Sequence, residues 1–305
     1  MSILVVGSVA LDTVETPSGK VDNALGGAAV YFSMAARHFV DVRMVATVGD
    51  DFPKEHIDML VRAGVDTKGL TRVEGSTFRW GGKYFDELNK RETLFTDLGV
   101  FENFKPEIPE GWERSTHVFL ANIDPELQLN VLDQIEKPKV VAFDTMNFWI
   151  ERKRDKLEEL LDRVDAIVIN DEEATMLSGH SSMIEAARKI RGMGPRWVVV
   201  KQGEYGALMF SDHGVFSAPA LLLDEVRDPT GAGDTFAGGF MGALAMSGEL
   251  DDEAFRRAII VGSVLASFAV EDFSLGRLAV VSNAEVKGRY STFEELARIP
   301  DYFTS

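Results

Sequence analysis

A carboxylate placed directly after two closely spaced glycines is the feature of the sequence that most suggests chemistry. It lies in residues 228–240, which read Asp-Pro-Thr-Gly-Ala-Gly-Asp-Thr-Phe-Ala-Gly-Gly-Phe. The apolar run after Thr235 predicts a helix with Asp234 in its first turn. Backbone N–H groups at a helix start lack internal partners, and the helix dipole is positive there, so the pattern predicts a phosphate site. The tip of this helix consists of Gly231, Ala232 and Gly233.

Asp234 has two interpretations. An acidic residue in the first turn stabilises a helix electrostatically, which indicates a capping role. Alternatively, a carboxylate beside a held phosphoryl group is a general base that takes a proton from an attacking hydroxyl. The short Gly-x-Gly-Asp pattern, taken alone, favours the capping role.

Composition and charge restrict the class of protein. The chain has 305 residues, of which 45% are hydrophobic and 27% charged, as in ordinary globular proteins. The net charge of −17 argues against a nucleic-acid surface, which needs a basic face. The lack of cysteine excludes disulfides and thiolate chemistry. There is no apolar run long enough to predict a membrane span and no basic leader before residues 3–6, so we expect a cytoplasmic protein.

Short apolar segments alternate with helical patterns along most of the chain. This alternation predicts a mainly parallel sheet joined by helices. Residues 71–97 differ, because they are rich in Thr, Phe, Trp, Tyr and Gly and predict antiparallel strands. Together with residues 12–24 they are expected to form a small sheet that stands off the main body. We therefore predict a single domain over residues 1–305 with a β lid.

Polar residues follow several predicted strands, and ligands bind at the carboxyl ends of parallel strands. Asp12 comes just after the first strand. The others follow strands in the middle of the chain. Because Asp and Asn also form turns, position alone does not decide between a residue that lines a binding cleft and one that forms a turn. They are Asn122, Asp144 and Asn147.

Residues 228–240 resemble the C-terminal signature of the PfkB carbohydrate kinases, the ribokinase-like family, and further motifs of that family recur in order over most of the chain. The resemblance implies a three-layer α/β/α fold with a β lid. It also implies an ATP-dependent kinase that uses Mg²⁺ and phosphorylates a hydroxyl of a small sugar or sugar-like molecule. In the family, the aspartate matching Asp234 is the catalytic base, and the backbone matching Gly231, Ala232 and Gly233 forms the anion hole.

The resemblance assigns the substrate side to the first part of the chain. Asp12 matches an aspartate that binds substrate hydroxyls, and Gly26 and Gly27 match a Gly-Gly signature whose backbone lies against the sugar. Many members carry asparagine four residues after the second glycine, where this chain has Tyr31. This difference favours a bulkier substrate or one stacked on an aromatic ring. Asn122 completes the expected substrate side.

Asn170 and Glu173 are three residues apart at a predicted helix start, which is the spacing of a capping box. The family has an Asn-x-x-Glu motif at this place, and the resemblance implies that Glu173 orders magnesium and phosphate through water. Lys201, Gly203 and Gly206 match a loop that contacts the nucleotide. A lysine at the end of a strand is also consistent with a solvated charge.

The resemblance extends to a monovalent cation and to assembly. Asp228 and Thr230, with the loop of residues 271–276, match a cation site, which adds K⁺ to the candidate cofactors. Lid sheets in this family also make dimer contacts, so a homodimer through the lid is expected. The lid has four basic residues, which we interpret as solvated charges on exposed edge strands. The alternative is that one or two of them contact an anionic group of the substrate. They are Arg79, Lys83, Lys90 and Arg91.

Two functions of different classes therefore remain. In the first, the protein is a sugar kinase, with a nucleoside kinase of the same fold as the alternative. In the second, the same fold serves as a non-catalytic ligand-binding regulator. A carboxylate beside a phosphate site is not needed for binding alone, so Asp234 favours the kinase.

Overall fold

The computed structural model describes residues 1–86 and 90–298. Most strands of its larger sheet coincide with short apolar segments of the sequence. Segments rich in Val, Ile and Leu form strands buried on both faces, as parallel sheets require. The strands are β1 (Ser2–Val6), β2 (Ala10–Thr16), β3 (Gly19–Gly26), β4 (Asp41–Gly49), β5 (Val65–Val73), β6 (Arg79–Tyr84), β7 (Arg91–Asp97), β8 (His117–Leu120), β9 (Val140–Phe143), β10 (Ala166–Asn170), β11 (Trp197–Lys201), β12 (Ala207–Ser211) and β13 (Gly214–Ala218).

The main sheet has nine strands in the order β13-β12-β11-β10-β9-β8-β1-β4-β5. Pairing is parallel from β11 through to β5, and antiparallel where β12 and β13 complete one edge. The carboxyl ends of the parallel strands therefore lie along one edge of the sheet. This arrangement confirms the predicted mainly parallel sheet.

Helices cover both faces of the main sheet. Side chains alternate along β1, so that Ile3 and Val5 join one hydrophobic cluster while Leu4 and Val6 join the other. Helices α1, α2, α8, α9 and α10 contribute to the first cluster, and α3 to α7 contribute to the second. The result is three layers. The helices are α1 (Ala28–Ala36), α2 (Lys54–Arg62), α3 (Pro125–Gln134), α4 (Asn147–Arg152), α5 (Arg154–Leu161), α6 (Asp171–Ser178), α7 (Met183–Arg191), α8 (Ala232–Ser247), α9 (Asp252–Ala269) and α10 (Asn283–Leu296).

The small sheet has four strands in the order β3-β2-β6-β7. Two antiparallel hairpins, β2–β3 and β6–β7, are joined by parallel pairing between β2 and β6. The expected lid segment of residues 71–97 differs at its start, because residues 71–73 belong to β5 and pair with β4 in the main sheet. β5 runs from Val65 to Val73 before a bend at Glu74 and Gly75, so it pairs with nearly the whole length of β4. Residues 87–89 of that segment and 299–305 of the predicted domain lie outside the described residues.

Glycines set the position of α8. A Cβ on Gly238 would lie 2.2 Å from the carbonyl oxygen of Phe32, and one on Gly242 would lie 3.1 Å from the Cα of Ala36. Only glycine therefore allows α8 to pack this closely against α1. The close packing holds the N-terminus of α8 near the start of α1. Among the described helices, none combines the length and the apolar character needed to cross a bilayer.

Candidate active site

The N-terminus of α8 is a tight turn closed by a glycine. Gly231 is the N-cap residue, with φ of 74°, a left-handed conformation that favours glycine. Its Cβ, if present, would lie 2.4 Å from the Tyr31 ring, so the turn also needs the missing side chain. The Ala232 N–H already donates to the Pro229 carbonyl at 3.2 Å. The following amides, of Gly233 and Asp234, fall in the first turn, where a helix has no internal acceptor to offer.

Asp234 lies in the first turn of α8, as the sequence indicated. Its pKa is raised because burial disfavours the charged carboxylate, while the positive charges of Lys201 and Arg91 act in the opposite direction. Lys201 stands beside the turn, and its Nζ would be 2.9 Å from a Cβ on Gly233. A carboxyl with a raised pKa next to two cations and a helix N-terminus is suited to accept a proton.

Asp12 faces the same space from the small sheet. It lies in β2, not in a loop, and only 6% of it is exposed. A Cβ on Gly26 would lie 1.9 Å from its Oδ2, so its carboxyl covers that glycine. Burial raises the pKa of Asp12 to about 7, Asp228 and Asp234 add to the rise, and a hydrogen bond from the Gly27 N–H opposes it. The structure thus brings the two predicted site carboxylates, Asp12 and Asp234, within electrostatic reach.

Gly27 joins the small sheet to α1. It has φ of 98°, and a Cβ there would lie 2.5 Å from the Ser8 carbonyl oxygen, so glycine is required. Ser8 receives the first helical amides: its Oγ accepts from the Ala28 N–H at 3.1 Å and its carbonyl from the Ala29 N–H at 3.0 Å. Gly26 therefore lies against the carboxyl of Asp12, and Gly27 begins α1 beside that carboxyl.

Tyr31 lies under the glycine turn. It is 2% exposed and its ring packs against Gly231. Burial raises its pKa well above the usual value, and the charges of Asp12, Asp228 and Asp234 add to the rise. Its ring supports the tip of α8 in the structure; the stacking role expected for it stays a prediction.

Asn170 and Glu173 form a complete capping box at the start of α6. The Glu173 N–H donates to Asn170 Oδ1 at 2.7 Å, and the Asn170 N–H donates to Glu173 Oε2 at 2.8 Å. Glu173 is 9% exposed, and burial raises its pKa, against the opposing charges of Lys201 and Arg91. The capping interpretation is thus realised, and it holds the carboxyl of Glu173 near the ammonium of Lys201.

Asp144 was grouped with other strand-end residues and not chosen from the sequence. It follows β9, is 5% exposed, and its Oδ1 has no hydrogen-bond partner within the described structure. Burial raises its pKa well above the usual range, Asp234 and Glu173 add to the rise, and Lys201 opposes it. Three carboxyls therefore share one lysine. In residues 1–86 and 90–298, no group of three or more His, Cys, Asp or Glu is arranged as a direct metal-binding set.

The other candidate residues on the nucleotide and substrate sides have local contacts. Gly203 and Gly206 form the turn after β11, and the Gln202 N–H donates to the Gly206 carbonyl at 2.8 Å. Asn122 lies after β8, and its Oδ1 accepts from Trp149 Nε1 at 3.1 Å. These contacts fix their positions at the carboxyl edge of the sheet but do not link them to Asp12 or Asp234.

Asp228 connects the segment before α8 to a later loop. It is 1% exposed; Oδ1 accepts from the Thr230 N–H at 2.8 Å and Oδ2 from the Ser274 N–H at 3.2 Å. Burial raises its pKa, and these hydrogen bonds act in the opposite direction. Thr230 Oγ1 donates to the hydroxyl of Tyr84 at 3.2 Å, which links this segment to the small sheet.

The basic residues of the lid do not all behave alike. Arg79 pairs with Asp51 at 2.7 Å, and Lys83 pairs with Glu15, but both lie on β6, which is an inner strand of the small sheet and not the edge strand that was expected. Arg91 instead lies over the Trp80 ring, and its charge opposes the rise that burial causes in the pKa of both Asp234 and Glu173. Residue type alone does not distinguish Arg91 from the other basic residues of the lid. Arg91 differs from them in its position on β7, where it is the register partner of Tyr84.

Comparisons with known proteins give the family. The family model for pfkB family carbohydrate kinases matches residues 2–278. A cytidine kinase from Thermococcus kodakarensis is 31% identical over 258 residues, which cover 83% of this chain and 91% of that protein. The solved nucleoside kinase of Methanocaldococcus jannaschii has a TM-score of 0.77 at 20% identity, covering 95% of this chain and 98% of that one. An E. coli protein described as a ribokinase II was solved with ATP and Mg²⁺. It has a TM-score of 0.78 at 19% identity, and the match covers 95% of this chain and 99% of that one.

Both solved structures match the fold of this chain over 95% of its length, and the M. jannaschii protein is described as an archaeal member of the ribokinase family, which confirms the predicted ribokinase-like fold class. The family model covers nearly the whole chain, and the relatives are kinases. The protein therefore belongs to the pfkB family of carbohydrate kinases and is a phosphotransferase with an alcohol group as acceptor.

Proposed function

We propose that this protein transfers the γ-phosphoryl group of ATP to a hydroxyl of a small sugar-like substrate, with Asp234 as general base. The observation that carries the proposal is the position of Asp234: it lies in the first turn of α8, beside Lys201, and within electrostatic reach of Asp12. A helix N-terminus favours the phosphate, while the carboxyl favours a neighbouring O–H donor.

Each residue has a distinct task in the proposed reaction. Asp12 and the backbone at Gly26 and Gly27 hold substrate hydroxyls. Asp234 accepts the proton of the acceptor's attacking hydroxyl. At the same time the hydroxyl oxygen bonds to the γ-phosphorus, and the bond between that phosphorus and the oxygen that leaves with ADP breaks. The amides of the turn formed by Gly231, Ala232 and Gly233 stabilise negative charge on the transferring group; the Ala232 amide must leave its 3.2 Å bond to Pro229 to take part.

The residues at the nucleotide side fit Mg²⁺ held through water. The Oδ1 of Asp144 is buried and has no hydrogen-bond partner among residues 1–86 and 90–298, and Glu173 and Asp144 both lie near Lys201. Magnesium keeps several of its waters, so two carboxylates that hydrogen-bond these waters would be sufficient to hold the hydrated ion. When bound, Mg²⁺ neutralises charge on the phosphates. Lys201 does the same from the side of Gly233, and the turn at Gly203 and Gly206 borders the nucleotide.

A nucleoside is the favoured acceptor within this class. The relative with 31% identity over most of the chain is a cytidine kinase, and the M. jannaschii protein of the same fold is a nucleoside kinase. A ribose carrying a base offers the hydroxyls that Asp12 would bind. Asn122 and Tyr31 remain candidates for the substrate side, with Tyr31 acting through its support of Gly231.

The test is a substrate panel with purified protein. ATP and Mg²⁺ are offered with ribose, deoxyribose, hexoses, cytidine, uridine, adenosine and inosine, and phosphorylated product is detected by ³¹P NMR. We expect a phosphorylated product from at least one acceptor, with one ADP formed per product. ATP hydrolysis without any phosphorylated acceptor, or binding without turnover, would support a ligand-binding regulator instead.

We further propose a K⁺ site at Asp228 and Thr230 and a homodimer whose subunits meet through their small lid sheets. Each oxygen of Asp228 accepts a backbone N–H, and a carboxylate oxygen has a further lone pair that a cation can use. The lid exposes large apolar side chains, with Leu94 at 46% and Phe95 at 43%. The panel repeated in tetramethylammonium salts tests the first idea, since K⁺ should raise the rate. Light scattering tests the second: a monomeric mass would exclude the dimer.

A further inference from the structure

Gln128 lies on the buried side of α3 among apolar residues. Pro125, Leu129 and Leu132 share that side at helical spacing, and all three are buried. Gln128 itself is 0% exposed. Burying an amide costs free energy unless its polar atoms find hydrogen-bond partners, so the contacts that Gln128 makes are what allow it at this position.

The amide nitrogen of Gln128 lies among three backbone carbonyls. Nε2 donates to the Leu120 carbonyl at 3.1 Å, to the Ala121 carbonyl at 3.0 Å and to the Asp144 carbonyl at 3.1 Å. An amide NH₂ group has two hydrogens, so the three acceptors share them. Because carbonyl oxygens only accept hydrogen bonds, the NH₂ and not Oε1 must face them, which fixes the orientation of the amide.

These carbonyls lie where β8 and β9 separate. The ladder between the two strands ends at the pair of Leu120 and Phe143, and Asp144 is the next residue. The Asp144 N–H donates to the Leu120 carbonyl at 3.1 Å, and Gln128 holds the Asp144 carbonyl. Both sides of the Asp144 backbone are thus fixed beyond the last strand pair, and the direction of its side chain is fixed with them.

The carboxyl of Asp144 depends on this support from the backbone. Its Oδ1 is buried and has no hydrogen-bond partner in the described ranges 1–86 and 90–298. The same is true of Gln128 Oε1 and of Oγ1 of Thr145, the residue after Asp144. Buried polar atoms normally pair with protein groups or with ordered water. Unpaired atoms on these three residues therefore fit surroundings that hold water, including the waters of a hydrated Mg²⁺.

We infer that Gln128 is a positioning residue of the proposed magnesium site: it fixes the backbone of Asp144 so that the carboxyl can hold the waters of Mg²⁺. This inference rests on the proposed function and adds a residue that acts only through Asp144. Residues that orient the groups around a metal without touching the metal typically contribute about 10- to 100-fold in metal affinity. An amide that only joined the strand ends would contribute to stability and leave metal affinity unchanged.

The experiment measures metal affinity in the complex of the protein with ADP. Mn²⁺ replaces Mg²⁺, because free Mn²⁺ is counted directly by electron paramagnetic resonance. We expect Gln128→Met to weaken Mn²⁺ binding about 10- to 100-fold and to change the affinity for metal-free ADP less than about threefold. Gln134→Met is the matched control on the same helix, because Gln134 Nε2 also donates to backbone carbonyls, of Pro106 at 2.9 Å and Asn130 at 3.2 Å. It should keep the Mn²⁺ affinity of the wild type.

A double-mutant cycle tests whether Gln128 acts through Asp144. Asp144→Asn alone should weaken Mn²⁺ binding, and adding Gln128→Met should weaken it little further, because the two residues act as one unit. Gln128→Glu is a second, milder variant. Burial keeps its carboxyl protonated, so it retains one donor for the carbonyls, and it should weaken Mn²⁺ binding less than Gln128→Met does.

The inference is overturned if the folded Gln128 variants bind Mn²⁺ as tightly as the wild type, if Gln134→Met weakens it equally, or if the losses from Gln128→Met and Asp144→Asn add in full. Absence of Mn²⁺ binding to the wild-type ADP complex would also overturn it. Thermal unfolding shows which variants are folded, and Gln128→Glu decides if Gln128→Met is not. Failure of the proposed function has a different signature: Mn²⁺ affinity falls as expected, yet the wild type forms no phosphorylated product from any acceptor.

Discussion

Replacing Asp12 with asparagine is predicted to stabilise the protein in the absence of substrate. Asp12 is 6% exposed, and its pKa is about 7 in the folded protein against an ordinary value of 3.8. The folded state therefore holds a proton that the unfolded state has released, and the free energy of unfolding falls as pH rises from about 4 to 7. At 1.36 kcal/mol per pKa unit, the charged carboxyl costs about 4 kcal/mol above neutral pH. Asparagine still offers an oxygen to the Gly27 N–H and carries no charge.

The assay is urea unfolding of wild type and Asp12→Asn at several pH values, without ligand. The variant should match the wild type near pH 4 and exceed it by about 4 kcal/mol near pH 8. Asp51→Asn is the control of opposite sign. Burial tends to raise the pKa of Asp51, but hydrogen bonds from Thr77 and Arg79 outweigh it and lower the pKa. That variant should be less stable than wild type at neutral pH, and the difference should vanish in acid. A pH-independent difference for Asp12→Asn, or a less stable variant near pH 8, would refute the reasoning.

Two further substitutions test other parts of the site. Asp144→Asn should raise the Mg²⁺ concentration needed for half-maximal rate, because it removes one of two carboxylates proposed to hold the metal's waters; titration of activity with MgCl₂ measures this, and an unchanged midpoint would exclude the role. Gly231→Ala should destabilise the protein by more than about 2 kcal/mol, because the new Cβ would lie 2.4 Å from the Tyr31 ring at φ of 74°. Gly179→Ala is its control, because φ is 75° and no atom of the described part of the chain lies within 4 Å of the added Cβ. Only the backbone strain of about 1 kcal/mol should therefore appear in urea unfolding.

Much of the fold follows from local signals in the sequence. Apolar runs separated by helical patterns predicted the parallel sheet, and the glycine turn before an apolar helix predicted the N-terminus of α8. The capping box of Asn170 and Glu173 was readable from its spacing alone. These features depend on residues close together in the chain, where propensity and periodicity act directly.

The rest depends on contacts between distant segments. Turn signals predict hairpins, but the parallel pairing of β2 with β6 joins strands more than sixty residues apart. That pairing places Trp80 beside Asp12, and the next pair of strands places Arg91 opposite Tyr84. Asp144 could not be selected from other strand-end residues, because its importance comes from burial near Asp234 and Lys201. The edge position of β5 likewise depends on its partner and not on its own sequence.

The most direct test of the account is the single-turnover rate of phosphoryl transfer in Asp234→Asn. Enzyme in excess over radiolabelled ATP, with saturating acceptor and Mg²⁺, is quenched at short times, and nucleotide affinity is measured separately. The account predicts a rate about 10² to 10⁴ below wild type with nucleotide affinity little changed, because the proton acceptor is lost while the helix N-terminus remains. Transfer at the wild-type rate would show that Asp234 only caps α8, and the proposed mechanism would be wrong.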